Sequence, residues 1–407
     1  MNIRDKNLKA LLPSVMVSSM GDWIFHVALL LYLFRGTQSG VIVSLFILSS
    51  TLPSLLLSPL IVKKISHFAN RTTLVSADLL RMVLVASLVL FQDAMTAVFI
   101  VNAFLGVVSV AFRSAYIRKI TDLYEPDQRH QVNALLNSGS YIAMGLGSVA
   151  GAALISQWSL SVCLWIDAAS FLLSALFLYN LQADAEGGEK EQKQSPTLKL
   201  MLSALVTEVK GSVVLSSVLA FGLSWGIVGG AFSVLFPVLF MTQAESSGLL
   251  STFYTVQALA LLAGSFIVYK TKFKENENYL FRLFLFAYFC QAFCFSLALF
   301  TDNIYLSFIA IYFMRLCGGI IIPLDTTLIQ NNSSEESLPL IYNIHGLTYN
   351  SCYQFTVLAV GIMIDSLQLS TTKAIAGWTA IVTISTICLV SLVLNSRRGV
   401  ANTTESG

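Results

Sequence analysis

Twelve long apolar stretches account for nearly all of this chain, at 10–34, 40–62, 73–91, 96–117, 132–156, 160–181, 213–241, 246–270, 279–300, 303–329, 338–365 and 372–395. A helix crosses a bilayer with about 20 mostly apolar residues, and each stretch is of that order. Only 11% of the residues are charged and 56% are hydrophobic, whereas soluble domains carry about 25% charged residues. No soluble core could enclose so much apolar surface, so lipid is the expected solvent. Transmembrane barrel strands run to only about 9–11 residues and alternate polar with apolar; these stretches do neither. The expected fold class is an all-α membrane protein with 12 transmembrane helices.

Lysine and arginine placement orients the helices. If the first residues lie inside, 19 of the 24 lysines and arginines fall on the inner side, among them Lys6, Lys63, Lys64, Arg118, Lys119 and Arg397. Only Arg35 and Lys373 fall outside, and Arg81, Arg113 and Arg315 lie within spans. Cytoplasmic loops carry the excess of positive charge, so both termini are expected in the cytoplasm. One missed span would scramble the alternation, so the bias also supports the count.

The segment 182–211 separates an expected six-helix bundle at 1–181 from a second at 212–407. It begins as a charge run, Asp184 to Glu191, which cannot pack a core. After Pro196, the residues Leu198, Met201, Leu202, Leu205, Val206 and Val209 fall on one helical face, as expected of a helix lying along the inner membrane surface. A shift of 212 residues lays Leu105–Ile117 on Cys317–Ile329 and keeps its register onto Asn133 and His345. Two pseudo-symmetric bundles follow, an organisation expected of secondary transporters. The shift also pairs Arg113 with Asp325, each about four residues from the inner end of its span. These two are expected at the same depth on opposite sides of a cavity, as gating or substrate-binding groups.

Ionisable groups within spans are costly and usually face the protein interior or a wet cavity. Asp22 and His26 are spaced i, i+4 on the first span and share a face. Asp22 lies about 18 Å of helix rise from the inner end, in a hydrocarbon core about 30 Å thick. Imidazole changes charge near neutral pH, so the two have the chemistry of a proton carrier; a neutral pair that only fixes packing is the alternative. Asp78 and Arg81, spaced i, i+3 on the third span, read as a structural or gating pair. Arg315, near mid-span, can meet a carboxylate or an anionic substrate. Asp167 reads as a structural polar anchor. The eleventh span is the most polar: Asn343, His345, Asn350 and Gln354 interrupt it, suited to binding substrate or to hydrogen bonds between helices. Gly139, Ala143, Gly147 and Gly151 place a small residue at every fourth position of the fifth span, a seam for close helix packing.

Other chemistries find little support. The six cysteines all lie in apolar stretches without metal-ligand spacing. No GxxxxGK[ST] phosphate loop is present, so ATP is not the expected energy source. A net charge of +2 gives no reason to expect a nucleic-acid partner. No nucleophile–base arrangement is evident, so no enzyme activity, cofactor or metal is expected.

Several motifs resemble the major facilitator superfamily, and within it the branch of macrolide exporters and the enterobactin (siderophore) exporter. They are Gly21-Asp22-Trp23 with the Thr37–Gly40 turn, Ala77–Arg81, Asn133–Leu135 and Ile166–Ala175. Gly147–Gly151 is similar to the span-five motif of antiporters, with Ser148 in place of its usual proline. The loop after span two departs from the family pattern: Ser58–Arg71 lacks the acidic residue that normally helps lock the inner gate. Asn102 stands near where span four often has an arginine, and Arg315 near the corresponding place in span ten. The resemblance implies the major facilitator fold and proton-coupled efflux of an amphipathic small molecule, a macrolide-like drug or a siderophore, by a monomer. The expected partners are that substrate, protons and membrane lipid. A lipid or lysophospholipid flippase and a non-transporting sensor or assembly factor remain as alternatives.

Overall fold

A computed structural model describes residues 6–65, 68–182, 209, 211–243, 246–271, 277–333 and 338–405. The twelve helices are α1 Lys6–Thr37, α2 Gly40–Ile65, α3 Asn70–Phe91, α4 Met95–Leu123, α5 Pro126–Gln157, α6 Leu160–Tyr179, α7 Val213–Met241, α8 Ser246–Thr271, α9 Glu277–Phe300, α10 Ile304–Asn332, α11 Leu338–Ser366 and α12 Leu369–Glu405. All twelve are long and apolar enough to cross a membrane, and no strand occurs among the described residues. The expected spans lie inside these helices or overrun an end by at most two residues, as at α6. The helix expected after Pro196 falls almost wholly outside the described residues.

Large apolar side chains stand exposed along the helices, including Leu56, Leu90, Phe313 and Phe355. In water such surface would drive association; against lipid it is the ordinary outer surface of a span. Prolines interrupt α1, α2, α7 and α10, as tolerated where neighbouring helices and hydroxyl side chains satisfy the freed backbone groups.

The described residues group into two compact units. One comprises Met1–Gly188 with Val234–Leu259 and Val360–Ser366; the other comprises Glu189–Ser233, Ala260–Ala359 and Leu367–Gly407. In the first unit, α1 packs on α5 and α6, and α3 on α4 and α6. The α5 seam works as its spacing suggests. A Cβ on Gly147 would lie 2.6 Å from the Met20 carbonyl oxygen, and one on Gly151 would lie 2.9 Å from the Ile24 backbone. On α2, the Asn102 amide donates to the Phe46 carbonyl (2.9 Å) and to Ser49 Oγ (2.8 Å), so this side chain fastens α4 to α2.

Cations tie the ends of these helices. Arg118 donates to the Ile65 carbonyl at the end of α2 (3.2 Å) and to Asn70 (2.8 Å). Arg71 donates to the Tyr179 carbonyl at the end of α6 and lies 4.7 Å over the Tyr179 ring. Lys119, 1% exposed, donates to the Gln182 carbonyl at 2.6 Å. Arg129 donates to the carbonyls of Thr121 and Tyr124 at the end of α4, both at 2.8 Å. Helix C-termini present carbonyls without intrahelical donors and carry partial negative charge, so cations there bond and neutralise at once.

In the second unit, α7 meets α11 through Gly222, Gly226 and Gly230. A Cβ on these would lie 2.6 Å from His345 Nε2, 2.5 Å from the Tyr349 carbonyl oxygen and 2.7 Å from the Tyr353 carbonyl oxygen. Their four-residue spacing was open to the same reading as the α5 seam. Gly226→Ala is expected to wedge the two backbones apart and cost about 1–3 kcal/mol, read as a lower unfolding temperature in detergent. Close approaches recur elsewhere: α4 rests on the α2 backbone at Gly106, and α10 rests on α8 where Gly319 meets Gly264.

Candidate functional site

Within the spans of the first unit, a group of charges lies on α1, α3 and α6. Arg81 Nη1 stands 3.2 Å from Asp78 Oδ1, and the Ser174 hydroxyl donates to Asp78 Oδ2 at 2.6 Å. The guanidinium lies 4.4 Å over the Phe112 ring and 5.5 Å from the Phe171 ring, a cation–π setting suited to a desolvated arginine. Its Nε has no hydrogen-bond partner among the described residues. One turn before Phe171, Asp167 accepts from Ser170 Oγ at 3.4 Å. Asp78, Asp167 and Arg81 are 0%, 1% and 6% exposed.

Asp22 completes this group. It lies within electrostatic reach of Arg81 and of Asp78 and Asp167. Gly21 makes the approach possible: a Cβ there would fall 2.0 Å from Ser170 Oγ and 2.5 Å from Asp167 Oδ1. Three carboxyl groups therefore share one guanidinium. Asp167 belongs to the same group as the Asp78–Arg81 pair, and one sequence signal points to it: Asp167, Ser170 and Ser174 recur at three- and four-residue spacing on one face of α6.

His26 has different company. Its Nε2 lies 3.2 Å from the Tyr254 hydroxyl, and its ring sits among Trp23 (5.4 Å), Phe46 (5.5 Å) and Tyr254 (5.7 Å). The shared face of α1 thus splits, with the carboxylate toward the α3–α6 charges and the imidazole in an aromatic setting. Arg113 is exposed on α4.

The second unit gathers aromatic and polar groups. Arg315 lies 5.5 Å from the Phe232 ring and within electrostatic reach of Tyr349 and Tyr353, whose rings stack with centroids 6.1 Å apart. Asp325 Oδ2 accepts from the Tyr288 hydroxyl at 3.4 Å, while its buried Oδ1 has no hydrogen-bond partner among the described residues. Tyr288 itself stacks on Phe221 at 4.4 Å and meets Trp225 edge-on at 6.3 Å. His345 Nε2 is buried without a hydrogen-bond partner among the described residues. On α11, the Asn350 amide donates back to the Gly346 carbonyl at 2.7 Å and Gln354 is buried; the Asn343 side chain lies outside the described residues. No cluster of His, Cys, Asp or Glu that could hold a metal occurs among the described residues.

Known proteins place this architecture. Residues 11–357 match the family model described as Major Facilitator Superfamily. The chain is 28% identical over 184 residues to an uncharacterized MFS-type transporter, YfiS, of Bacillus subtilis (strain 168). That match takes in 44% of this chain and 43% of the relative, so it spans less than half of the relative's length. Among solved structures, the POT family transporter PepTSo superposes with a TM-score of 0.73 at 9% identity, over 96% of this chain and 98% of that one. A bacterial homologue of the human lysosomal transporter Spinster, inward-facing and unoccupied, gives 0.66 at 11% identity over 96% and 95%. At such identities the likeness is one of fold. The family match covers most of the sequence, and the chain belongs to the Major Facilitator Superfamily as a multi-pass membrane transporter rather than an enzyme.

Proposed function

We propose that this transporter is a proton-coupled exporter of amphipathic small molecules, macrolide-like drugs or siderophores, working by alternating access in the bacterial inner membrane. The observation that carries the reading is the group on α1, α3 and α6, where Asp22, Asp78 and Asp167 share the single cation of Arg81. Charge buried without a partner costs several kcal/mol, so a surplus of carboxylates in a span favours uptake of a proton. Asp78 is held by Arg81 and Ser174. Asp22 has no such fastening, which suits it to take a proton from one side and yield it to the other. His26, bonded to Tyr254, can pass on the protonation state of α1 through that contact.

The antiport direction is supported by the α5 seam. Its Gly147, within the stretch that resembles the antiporter motif, rests against Met20 and Trp23 on either side of Asp22. For cargo, Arg315 among Phe232, Tyr349 and Tyr353 offers a cation on an aromatic wall, a surface that accepts ring systems and anionic groups. His345 Nε2 and Asp325 Oδ1 add polar atoms without partners among the described residues.

Inverted membrane vesicles energised by respiration test the reading with a radiolabelled macrolide and a catecholate siderophore. The expected result is accumulation of one of them that collapses on addition of a protonophore. Accumulation indifferent to the gradient would refute proton coupling. Translocation of a labelled lysophospholipid in the absence of both activities would favour a flippase.

A further inference from the structure

The first turn of α2 is capped by a side chain 325 residues away. Asp365, in the last turn of α11, accepts through Oδ1 from the Gly40 backbone N–H at 2.5 Å. Its Oδ2 accepts from the Val41 N–H at 3.2 Å and from the Ser39 hydroxyl. Ser39 Oγ in turn accepts from the Ile42 N–H at 3.3 Å, so three consecutive amides of a helix start are satisfied by this pair. A helix N-terminus carries unsatisfied donors and partial positive charge, and an anion there is favoured on both counts.

The backbones are shaped to meet. A Cβ on Gly361 would lie 2.2 Å from Ser44 Oγ and 2.8 Å from the Gly40 carbonyl oxygen, and one on Gly40 would lie 2.8 Å from Ile364. Just before the contact, Gln38 takes the left-handed conformation (φ 52°), rare for a non-glycine residue, as the chain turns from α1 into α2. The contact lies at the end of α1 away from the N-terminus, and α2 and α11 come from opposite sides of the linker. Both partners belong to the first unit, which also takes in Val234–Leu259; there Tyr254 meets His26 and the Thr255 hydroxyl donates to the Gly145 carbonyl at 3.4 Å.

We propose that Asp365 is a latch that holds the α1–α2 turn against the end of α11 and releases when the protein opens on that side. Two features distinguish it from permanent packing. Its polar bonds converge on one carboxylate, and Asp365 and Ser366 stand exposed. Water can therefore take over both the carboxylate and the α2 amides when the contact parts. An apolar seam of the same extent has no such substitute. The proposal depends on neither the cargo nor the coupling ion.

Hydrogen–deuterium exchange on the full chain in lipid nanodiscs tests it, comparing the wild type with Asp365→Ala, Asp365→Asn and Ser39→Ala. In Asp365→Ala, amides of residues 40–43 should exchange about tenfold faster, the response to losing a charge-assisted bond at a rim. The amides of 246–254 and 360–366 should speed up with them, because release of the latch frees every later segment docked at that end. Ser39→Ala and Asp365→Asn should fall between the wild type and Asp365→Ala. An increase confined to residues 40–43 would mean an ordinary helix cap and overturn the latch. No increase in any variant would overturn it as well, and so would an increase extending through α3 and α6, which would mark a residue needed for the whole fold.

Discussion

Replacing Asp78 with alanine is expected to be the most destabilising single change in the transporter. It would leave the Arg81 guanidinium 6% exposed, held only by the Phe112 and Phe171 rings and by its distance from Asp22 and Asp167. Breaking a buried pair by removing one partner costs about 3–5 kcal/mol, and here Arg81 would lose its direct ion pair and keep only the more distant Asp22 and Asp167. Whole proteins are stable by only about 5–15 kcal/mol, so the folded yield should drop sharply. Ser174 would lose its acceptor as well. The check is thermal unfolding of the detergent-solubilised protein alongside a double variant, Asp78→Leu with Arg81→Met. Removing both charges should recover part of the loss, since two apolar groups need no partner, while Asp22 and Asp167 lose the cation near them. A double variant as unstable as Asp78→Ala would mean that the pair's geometry, rather than an orphaned charge, accounts for the effect.

Asp22→Asn is expected to do the opposite: to leave stability nearly unchanged and abolish coupling. Asp22 has neither the ion pair nor the hydroxyl donor that fixes Asp78, and asparagine is close to it in shape. On the proposed mechanism, asparagine at this position is a permanently neutral carrier. One charge crossing 100 mV is worth about 2.3 kcal/mol, enough for a cargo gradient of roughly 50-fold. In energised inverted vesicles the accumulation ratio should fall from that order to about one. Exchange of labelled for unlabelled cargo, which needs no net proton movement, should continue. Accumulation that survives in Asp22→Asn would remove this residue from the coupling path while leaving the efflux reading intact.

Helix positions were legible because the burial of twenty apolar residues in lipid leaves few alternatives. The α6 boundary shows the limit: Asn180 and Leu181 read as span by hydropathy, yet the helix stops at Tyr179, where Arg71 takes the last carbonyl. Charge pairs within one helix were legible too, since Asp78 and Arg81 are three residues apart and no other helix is needed to bring them together. The grouping of Asp22 and Asp167 with that pair was not. It depends on which faces of α1, α3 and α6 meet, and weakly amphipathic spans do not announce their faces. His26 shows the same gap: its spacing from Asp22 places both on one side of α1, but Tyr254 from α8 captures the imidazole. Asp365 left no local sign at all, because a helix start capped from 325 residues away resembles, in sequence, any acidic residue at the end of a span.

The cations at the helix ends carry a consequence for how this chain can evolve. A membrane-insertion machinery counts lysine and arginine alike when it sets orientation, but the carbonyls at Ile65, Tyr179 and Thr121 do not. Arg118 reaches the α2 end while gripping Asn70 with another nitrogen, and Arg129 spans two carbonyls at once; an ammonium lacks that fixed fork. On the orientation expected from the sequence, the same side chains serve twice: first as a signal while the chain is threaded into the bilayer, then as fasteners once it has folded. Drift from arginine to lysine would be silent at the first stage and felt at the second, so the identity of these residues is constrained by folding even where the address they spell is not.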